Sequence, residues 1–323
     1  MNGSTNRRSN ARGIAVLLAV VAAVPATAAE IAAEFPAELT DFGPASRDPL
    51  FTGGGPDAWD RDLRERGWIM REGGRWHLWY TGSNRDRDPV RRLGYASGAD
   101  GLNWTRHPAP LVPDAWVEDV CIVKRGGCYR MFAEGEEDVA HLLTSTDRRH
   151  WRRHGPLDIR LVDGRPIPDG PRGTPAAWFE RGTWHLYYER RDKGVWLATS
   201  RDLCTFTNVS DEPVLACGPE DYDRDMIAVD QIIRFRGRAY AYYHACSRAG
   251  SGRWSTCLAV SDDLVHWRKY AGNPVLPVDP EHPGRSSATL VPDGTRHRLY
   301  TTHPDVRVRF STLPVRESTT GSE

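Results

Sequence analysis

The stretch Gly173-Thr174-Pro175-Ala176-Ala177-Trp178-Phe179-Glu180, then Arg181-Gly182, then Thr183-Trp184-His185-Leu186-Tyr187-Tyr188-Glu189-Arg190, continues after a short link as Gly194-Val195-Trp196-Leu197-Ala198-Thr199-Ser200. Aromatic and β-branched residues fill short runs, and Arg-Gly falls where the chain must reverse, which predicts a hairpin and a third strand. The unit recurs. Arg75-Trp76-His77-Leu78-Trp79-Tyr80, Cys128-Tyr129-Arg130-Met131-Phe132, Arg238-Ala239-Tyr240-Ala241-Tyr242-Tyr243 and Arg296-His297-Arg298-Leu299-Tyr300 stand in one register with it, each after a glycine turn. In four copies an Asp-led turn and an aromatic close the unit: Asp100 to Trp104, Asp147 to Trp151, Asp202 to Phe206 and Asp263 to Trp267. A period of roughly 45 to 60 residues with about four strands per copy is that of propeller blades. The expected fold is all-β, a five-bladed β-propeller over residues 57–313.

Lysine plus arginine (43) equals aspartate plus glutamate (43), so no net charge favours nucleic acid or an anionic membrane. Arg7, Arg8 and Arg12 precede an apolar run from Gly13 to Val24 that is too short to span a bilayer, and Ala26-Thr27-Ala28 offers a small-residue cleavage site. Residues 1–28 therefore read as a signal peptide, and the protein as secreted or periplasmic. Residues 29–56 form an N-terminal arm lacking the blade signature, and 314–323 a polar tail. The fifth copy supplies only three strands, so the arm around Glu38 to Phe51 is the expected donor of the closing strand. Six cysteines in an oxidising compartment leave three pairings open: Cys246 with Cys257, Cys204 with Cys217, and Cys121 with Cys128. None has zinc-site spacing.

In a propeller the first strand of each blade lines the axis, and its start shares a rim with the end of the second strand. First-strand starts here bring Asp60, Asp62, Glu118, Asp119, Arg172, Thr174, Asp230, Gln231, Arg285 and Ser286; second-strand ends bring Thr81, Glu134, Glu189, His244 and His303. Carboxylates from separate blades would meet in one pocket. Glycoside hydrolysis needs that: one acid stays protonated for the leaving oxygen while another stays ionised to activate water or attack carbon. Crowding separates their pKa values. Other positions have plain structural explanations. The turn aspartates Asp100, Asp147, Asp202 and Asp263 cap turns, and Trp104, Trp151 and Trp267 pack blades. Glu134 and Glu189 have an alternative as ion-pair partners of arginines such as Arg190, and His244 and His303 as ordinary rim histidines.

Gly94-Tyr95-Ala96-Ser97 with Asp100-Gly101-Leu102-Asn103-Trp104, the Trp-His-Leu-Trp-Tyr and Trp-His-Leu-Tyr-Tyr strands, and Trp116-Val117-Glu118-Asp119 resemble the five-bladed propeller glycoside hydrolases of families 43, 32, 62, 117 and 130. The resemblance implies a carbohydrate substrate, a first-blade acid as base (Asp62 or Asp60), a tuning acid (Asp119 or Asp230), and a glutamate as proton donor: Glu189, then Glu134 or Glu118. A histidine acid in some relatives keeps His244, His282 and His303 in view. It also implies inversion, no cofactor, and room for a structural calcium in the axial channel. Substrate contacts would fall to Glu134, Arg172, Thr174, Gln231, His244, Arg285 and His303. The chain departs from the pattern at Arg66-Gly67, where an Asp-Pro often stands. Two other functions fit the same fold: a phosphorylase resembling family 130, with Arg172 and Arg285 gripping phosphate, and a non-catalytic carbohydrate-binding propeller.

Overall fold

The computed structural model describes residues 34–248 and 251–314; the expected signal segment and nearly all of the polar tail lie outside the described residues. Five antiparallel sheets form the ring. The first blade contains β1 (Asp62–Glu72), β2 (Arg75–Asn84), β3 (Asp88–Gly98) and β4 (Thr105–Arg106), and the second β5 (Glu118–Arg125), β6 (Cys128–Glu134), β7 (Ala140–Ser145) and β8 (Arg152–Pro156). The third is widened to six strands: β9 (Asp158–Arg160), β10 (Ala176–Glu180), β11 (Thr183–Glu189), β12 (Gly194–Ser200), β13 (Thr205–Asn208) and β14 (Leu215–Ala216). Here β9, on the way in from the second blade, pairs parallel with β13. The fourth has β15 (Met226–Phe235), β16 (Arg238–Cys246), β17 (Trp254–Ser261) and β18 (Arg268–Lys269), and the fifth β19 (Ala288–Pro292), β20 (His297–Thr301) and β21 (Arg307–Phe310). The inner strands β1, β5, β10, β15 and β19 contact one another in turn, and β19 returns to β1.

The repeated aromatic of each second strand explains how blades adhere. Trp79 Nε1 donates to the Arg148 carbonyl (3.1 Å), Tyr187 Oη to that of Leu264 (2.7 Å), and Tyr300 Oη to that of Gly101 (3.1 Å). Each acceptor directly follows the Asp that opens the next blade's turn, and each has a positive φ near 70°. The turn is held in that shape by its aspartate, which accepts backbone amides two and three residues on, as Asp100 does from Leu102 and Asn103 (both 2.8 Å). Phe132 has no hydroxyl and packs edge-on against Phe206 instead. The fifth blade lacks an Asp-led turn, so Tyr242 of the fourth donates to Leu39 O (2.6 Å), on the short helix α1 (Ala37–Thr40) of the arm. The arm then runs along the free edge of β21: Gly43, Ser46 and Leu50 amides donate to the Phe310, Val308 and Val306 carbonyls at 2.8–2.9 Å. That is the closure strand counting calls for, and it covers an otherwise open sheet edge. Between blades lie fully buried Leu78, Phe132, Leu186 and Tyr243; each side chain of this size contributes about 1.5–3 kcal/mol through burial.

All six cysteines are free. The strand register places Cys246 opposite Trp254 and Cys257 opposite Tyr243, so these two do not face each other; Cys121 faces Phe132 and Cys128 faces Arg125.

One charge sits where the blades converge. The Arg66 side chain is fully buried, and its guanidinium donates to Asp119 O (2.5 Å), Pro175 O (2.7 Å), Val229 O (2.7 Å) and Asp230 O (3.2 Å). These carbonyls belong to the inner segments of the second, third and fourth blades. The amide of Gly67 donates to Thr302 Oγ1 of the fifth (2.8 Å). Replacing Arg66 with Met strands those acceptors and leaves Asp119 without its counter-charge, so R66M should lose about 3–5 kcal/mol of unfolding free energy. Urea denaturation followed by tryptophan fluorescence checks this; a loss below about 1 kcal/mol would show that the axis holds without it.

Candidate active site

The inner strands are irregular at one rim of the ring, and the chemistry collects at the irregularities. Pairing of β1 with β2 shifts between Arg64 and Trp68, of β5 with β6 between Glu118 and Cys121, and of β15 with β16 between Val229 and Gln231. The residues released from the ladder include Glu65, Asp119 and Asp230. Glu65 and Asp119 have left-handed φ values of 50° and 47°, the re-aiming of a side chain that a bulge achieves. In the third blade Thr174 (φ 42°) plays the same part just before β10.

A cavity of about 610 Å³ opens there, lined among others by Glu65, Asp119, Glu134, Glu189, Asp138, Asp192 and Glu281, by Arg64, Arg91 and Arg191, and by His244, His282 and His303. Glu65 is held by Arg64 (3.0 Å) and Arg91 (3.2 Å). Burial pushes its carboxyl up, but His303 and these two arginines outweigh that, leaving it below the ordinary value and ionised. Asp119 accepts the Arg66 amide (3.0 Å); burial lifts it to about 6, with Arg66 pulling the other way. Glu134, at the end of β6, accepts the Thr174 amide (2.6 Å), and burial together with Asp119 and Glu118 raises it well above the usual range. Glu189, at the end of β11, accepts the amides of Gly173 (3.1 Å) and Asp192, and burial, then Asp192, raises it to about 7. Thus Glu134 and Glu189 are gripped by backbone amides rather than by arginines.

His244, near the end of β16, also lines the cavity. Its Nδ1 bonds Asp230 Oδ1 (2.7 Å), which fixes the ring so that Nε2 is the nitrogen left for the cavity. Burial lowers its pKa, yet the Asp230 carboxylate more than offsets this and the net shift is upward. Asp230, itself fully buried, also accepts the Ala288 amide (3.3 Å). His303 Nε2–H donates to Gly284 O (2.6 Å), so Nε2 carries a proton; burial lowers the ring's pKa, with the Glu65 carboxylate pulling the other way.

Several expected site residues stand elsewhere. Asp60 is buried beneath the rim, bonded by Tyr80 Oη (2.6 Å) and Arg106, and Asp62 points outward, half-exposed, to Arg61. The bulge in β1 makes Glu65 the first-blade acid of the cavity. Glu118 lies behind the wall, accepting from Arg91 and Trp116 Nε1 (2.6 Å); burial and Asp119 raise it to about 7. Arg285 does not line the cavity, because Asp279 (3.1 Å) and Asp305 hold its buried guanidinium. Arg172 is tied by its backbone to Asp138 O (2.8 Å), and Gln231 staples β15 to Leu290 of β19 through N–H and C=O contacts of 2.7 and 3.1 Å; neither lines the cavity. Glu65, Arg91, Asp138 and Asp192 escaped the sequence reading. The one available signal was Glu65-Arg66-Gly67 standing at the place of the missing Asp-Pro.

Glu118, Asp119 and Glu134 present oxygens within 4.8 Å of one another. They do not fit a structural calcium on the axis, because the Arg66 guanidinium fills the axial position and Arg91 already neutralises Glu118.

No protein-family model matches the chain. An uncharacterised protein of Mycobacterium tuberculosis is 23% identical over 222 residues, covering 61% of this chain and 71% of that protein. A 1,2-β-oligomannan phosphorylase of Thermoanaerobacter is 26% identical over 170 residues, 48% of this chain and about half (53%) of that enzyme. Among solved structures, one from the GH130 family of mannoside phosphorylases superposes with a TM-score of 0.69 at 17% identity, covering 87% of this chain and 97% of that one. That family is described as containing glycoside hydrolases that target β-1,2-mannosidic linkages in Candida mannan. The five-bladed fold is therefore shared with this group of glycosidases and phosphorylases.

Asp230 is the largest of the acids that raise His244, ahead of Asp119 and Asp192. In Asp230→Asn the His244 pKa should therefore fall substantially, towards or below the ordinary histidine value of about 6.5, read by NMR titration of the imidazole. An unchanged titration would show that Asp230 does not govern the ring.

Proposed function

We propose that the protein is a glycoside hydrolase whose proton donor is Glu189 and whose base is Glu65. The supporting observation is the opposite treatment of two carboxyls in one cavity: Arg64 and Arg91 keep Glu65 ionised, whereas burial among acids keeps a proton on Glu189. Environments that push two carboxyls apart assign them as base and acid. Burial and the neighbouring Asp192 and Asp138 carboxylates keep Glu189 protonated near neutrality, and His244 Nε2 is placed to hydrogen-bond a sugar hydroxyl. Acid and base come from the third and first blades, which are not neighbours. This suits the wider spacing, roughly 6.5–9.5 Å, that admits water and inverts the anomeric centre. The arginine-flanked apolar segment from Gly13 to Val24 supports action outside the cytoplasm.

Phosphorolysis is the second reading, favoured by the name of the Thermoanaerobacter relative. The charge of the cavity speaks against it. Arg64 and Arg91 are committed to Glu65 and Glu118 and Arg285 is sealed by two acids, which leaves Arg191 as the lining arginine to meet an anion, and carboxyl groups outnumber arginines along the wall. A phosphate dianion would enter a field of its own sign; water does not have that difficulty.

The 1,2-β-mannosides named for the relatives are the first substrates to assay. Water should give the free sugar with inverted configuration by NMR, and added phosphate should yield no sugar 1-phosphate. The alkaline limb of kcat/KM should fall near pH 7 as Glu189 loses its proton, and Glu189→Gln should reduce turnover by about 10³-fold or more, the scale of losing a positioned acid. Formation of sugar 1-phosphate, or an E189Q variant that retains turnover, would contradict the assignment.

A further inference from the structure

After each inverting turnover Glu65 holds the proton taken from water and Glu189 lacks the one given to the leaving oxygen. The enzyme is reset once Glu65 has given up that proton and Glu189 has regained one, either through bulk water or by transfer inside the protein. We propose that Glu134 carries this proton across the interior, as the middle member of a carboxyl relay running Glu65, Asp119, Glu134, Glu189; the proposal rests on the acid and base assigned above.

The geometry brings the members together. Glu65 and Asp119 both line the cavity, Asp119 accepts the amide of Arg66, the residue after Glu65, and the two carboxyls interact electrostatically. Asp119 and Glu134 present oxygens no more than 4.8 Å apart, and Glu118 lies within the same distance of both. Glu134 Oε2 and Glu189 Oε1 flank Gly173: a methyl placed on that glycine would lie 2.0 Å from the first and 3.0 Å from the second. Two successive amides, of Gly173 and Thr174, take one oxygen each, which holds the carboxyls side by side. A gap of this size is bridged by one water molecule. A carboxyl that accepts a proton on one oxygen releases one from the other, so a proton entering at Asp119 leaves toward Glu189 with no net charge accumulated at Glu134. The charged groups facing Glu134 are Glu118, Asp119, Asp138 and Glu189, with Arg91 and Arg66 beyond them. The excess of acids over bases around it raises the affinity of the whole cluster for shared protons. Glycine at 173 is thereby explained as the residue whose missing side chain lets two carboxyls meet.

The test has two independent readouts. Carboxyl-carbon NMR of the full-length protein follows protonation without needing turnover. The parent should show Asp119 and Glu189 titrating in coupled, broadened steps. Glu134→Gln should simplify both, and Gly173→Ala, whose methyl presses first on Glu134 and then on Glu189, should disturb both as well. Rapid-quench kinetics on a β-mannoside reads the reset. In E134Q the steady-state rate should fall at least tenfold more than the first-turnover rate, and rising concentrations of formate should restore it, which a structural defect would not allow. Identical Asp119 and Glu189 titrations in parent and E134Q overturn the relay, as does an E134Q enzyme slowed equally in both phases and indifferent to formate. A parent protein with no first-turnover product would count against the hydrolase reading, and the titrations would then decide the relay by themselves.

Discussion

The structure depends on one guanidinium at the axis of the ring. Five blades that pack side by side leave their inner strands with carbonyls aimed at a common centre, where no sheet partner exists. A buried carbonyl left without a donor costs on the order of 1–3 kcal/mol. Arg66 meets this need for three blades at once, and the planar fork of its donors is what a lysine lacks. Its charge then has to be balanced. Asp119, bonded to the Arg66 amide, carrying one of the carbonyls on the guanidinium and lowered by its charge, helps to balance it. The same contact that holds the ring together therefore plants a carboxylate at the floor of the cavity.

Around that floor, electrostatics divides the acids by the partners each has found. Glu65 is at the mouth, between two arginines, and is held ionised. Glu134 and Glu189 are deeper, bonded by neutral amides and, for Glu134, the Thr174 hydroxyl (3.4 Å), with other carboxylates as neighbours. Amide hydrogens stabilise a carboxylate less than a guanidinium does, so the deeper pair retains protons that the outer one gives up. In the proposed assignment, acid and base character follow from depth and company.

The ring was legible in the sequence because blades repeat by side-chain pattern. The Trp-His-Leu strands, the Asp-led turns and the absent fourth strand of the fifth copy all correspond to contacts in the structure. Even the missing fifth turn has its counterpart in the bond from Tyr242 to the arm. The site was legible only where it lies on regular strands. Glu134 and Glu189 end β6 and β11, and alternation carries them to the rim. On the inner strands the alternation rule fails, because bulges reset which residue faces inward. Alternation therefore points to Asp60 and Asp62 rather than to Glu65, and these two serve Arg106 and Arg61 instead. Arg66 was noted as a departure from a family pattern, but its role depends on carbonyls from blades far along the chain, which no local pattern contains. Arg285, chosen for its charge at a strand start, was already spoken for by acids of its own blade.

The central claim is that acids delivered by separate blades to one axial cavity perform glycosidic cleavage. It is tested most directly by the crystal structure of the Glu189→Gln variant soaked with a 1,2-β-linked mannooligosaccharide. The account predicts a sugar spanning the cavity, the glycosidic oxygen within hydrogen-bond reach of residue 189, and a water on the far side of the anomeric carbon against Glu65. A sugar seated outside the cavity, in a groove between blades, would contradict it.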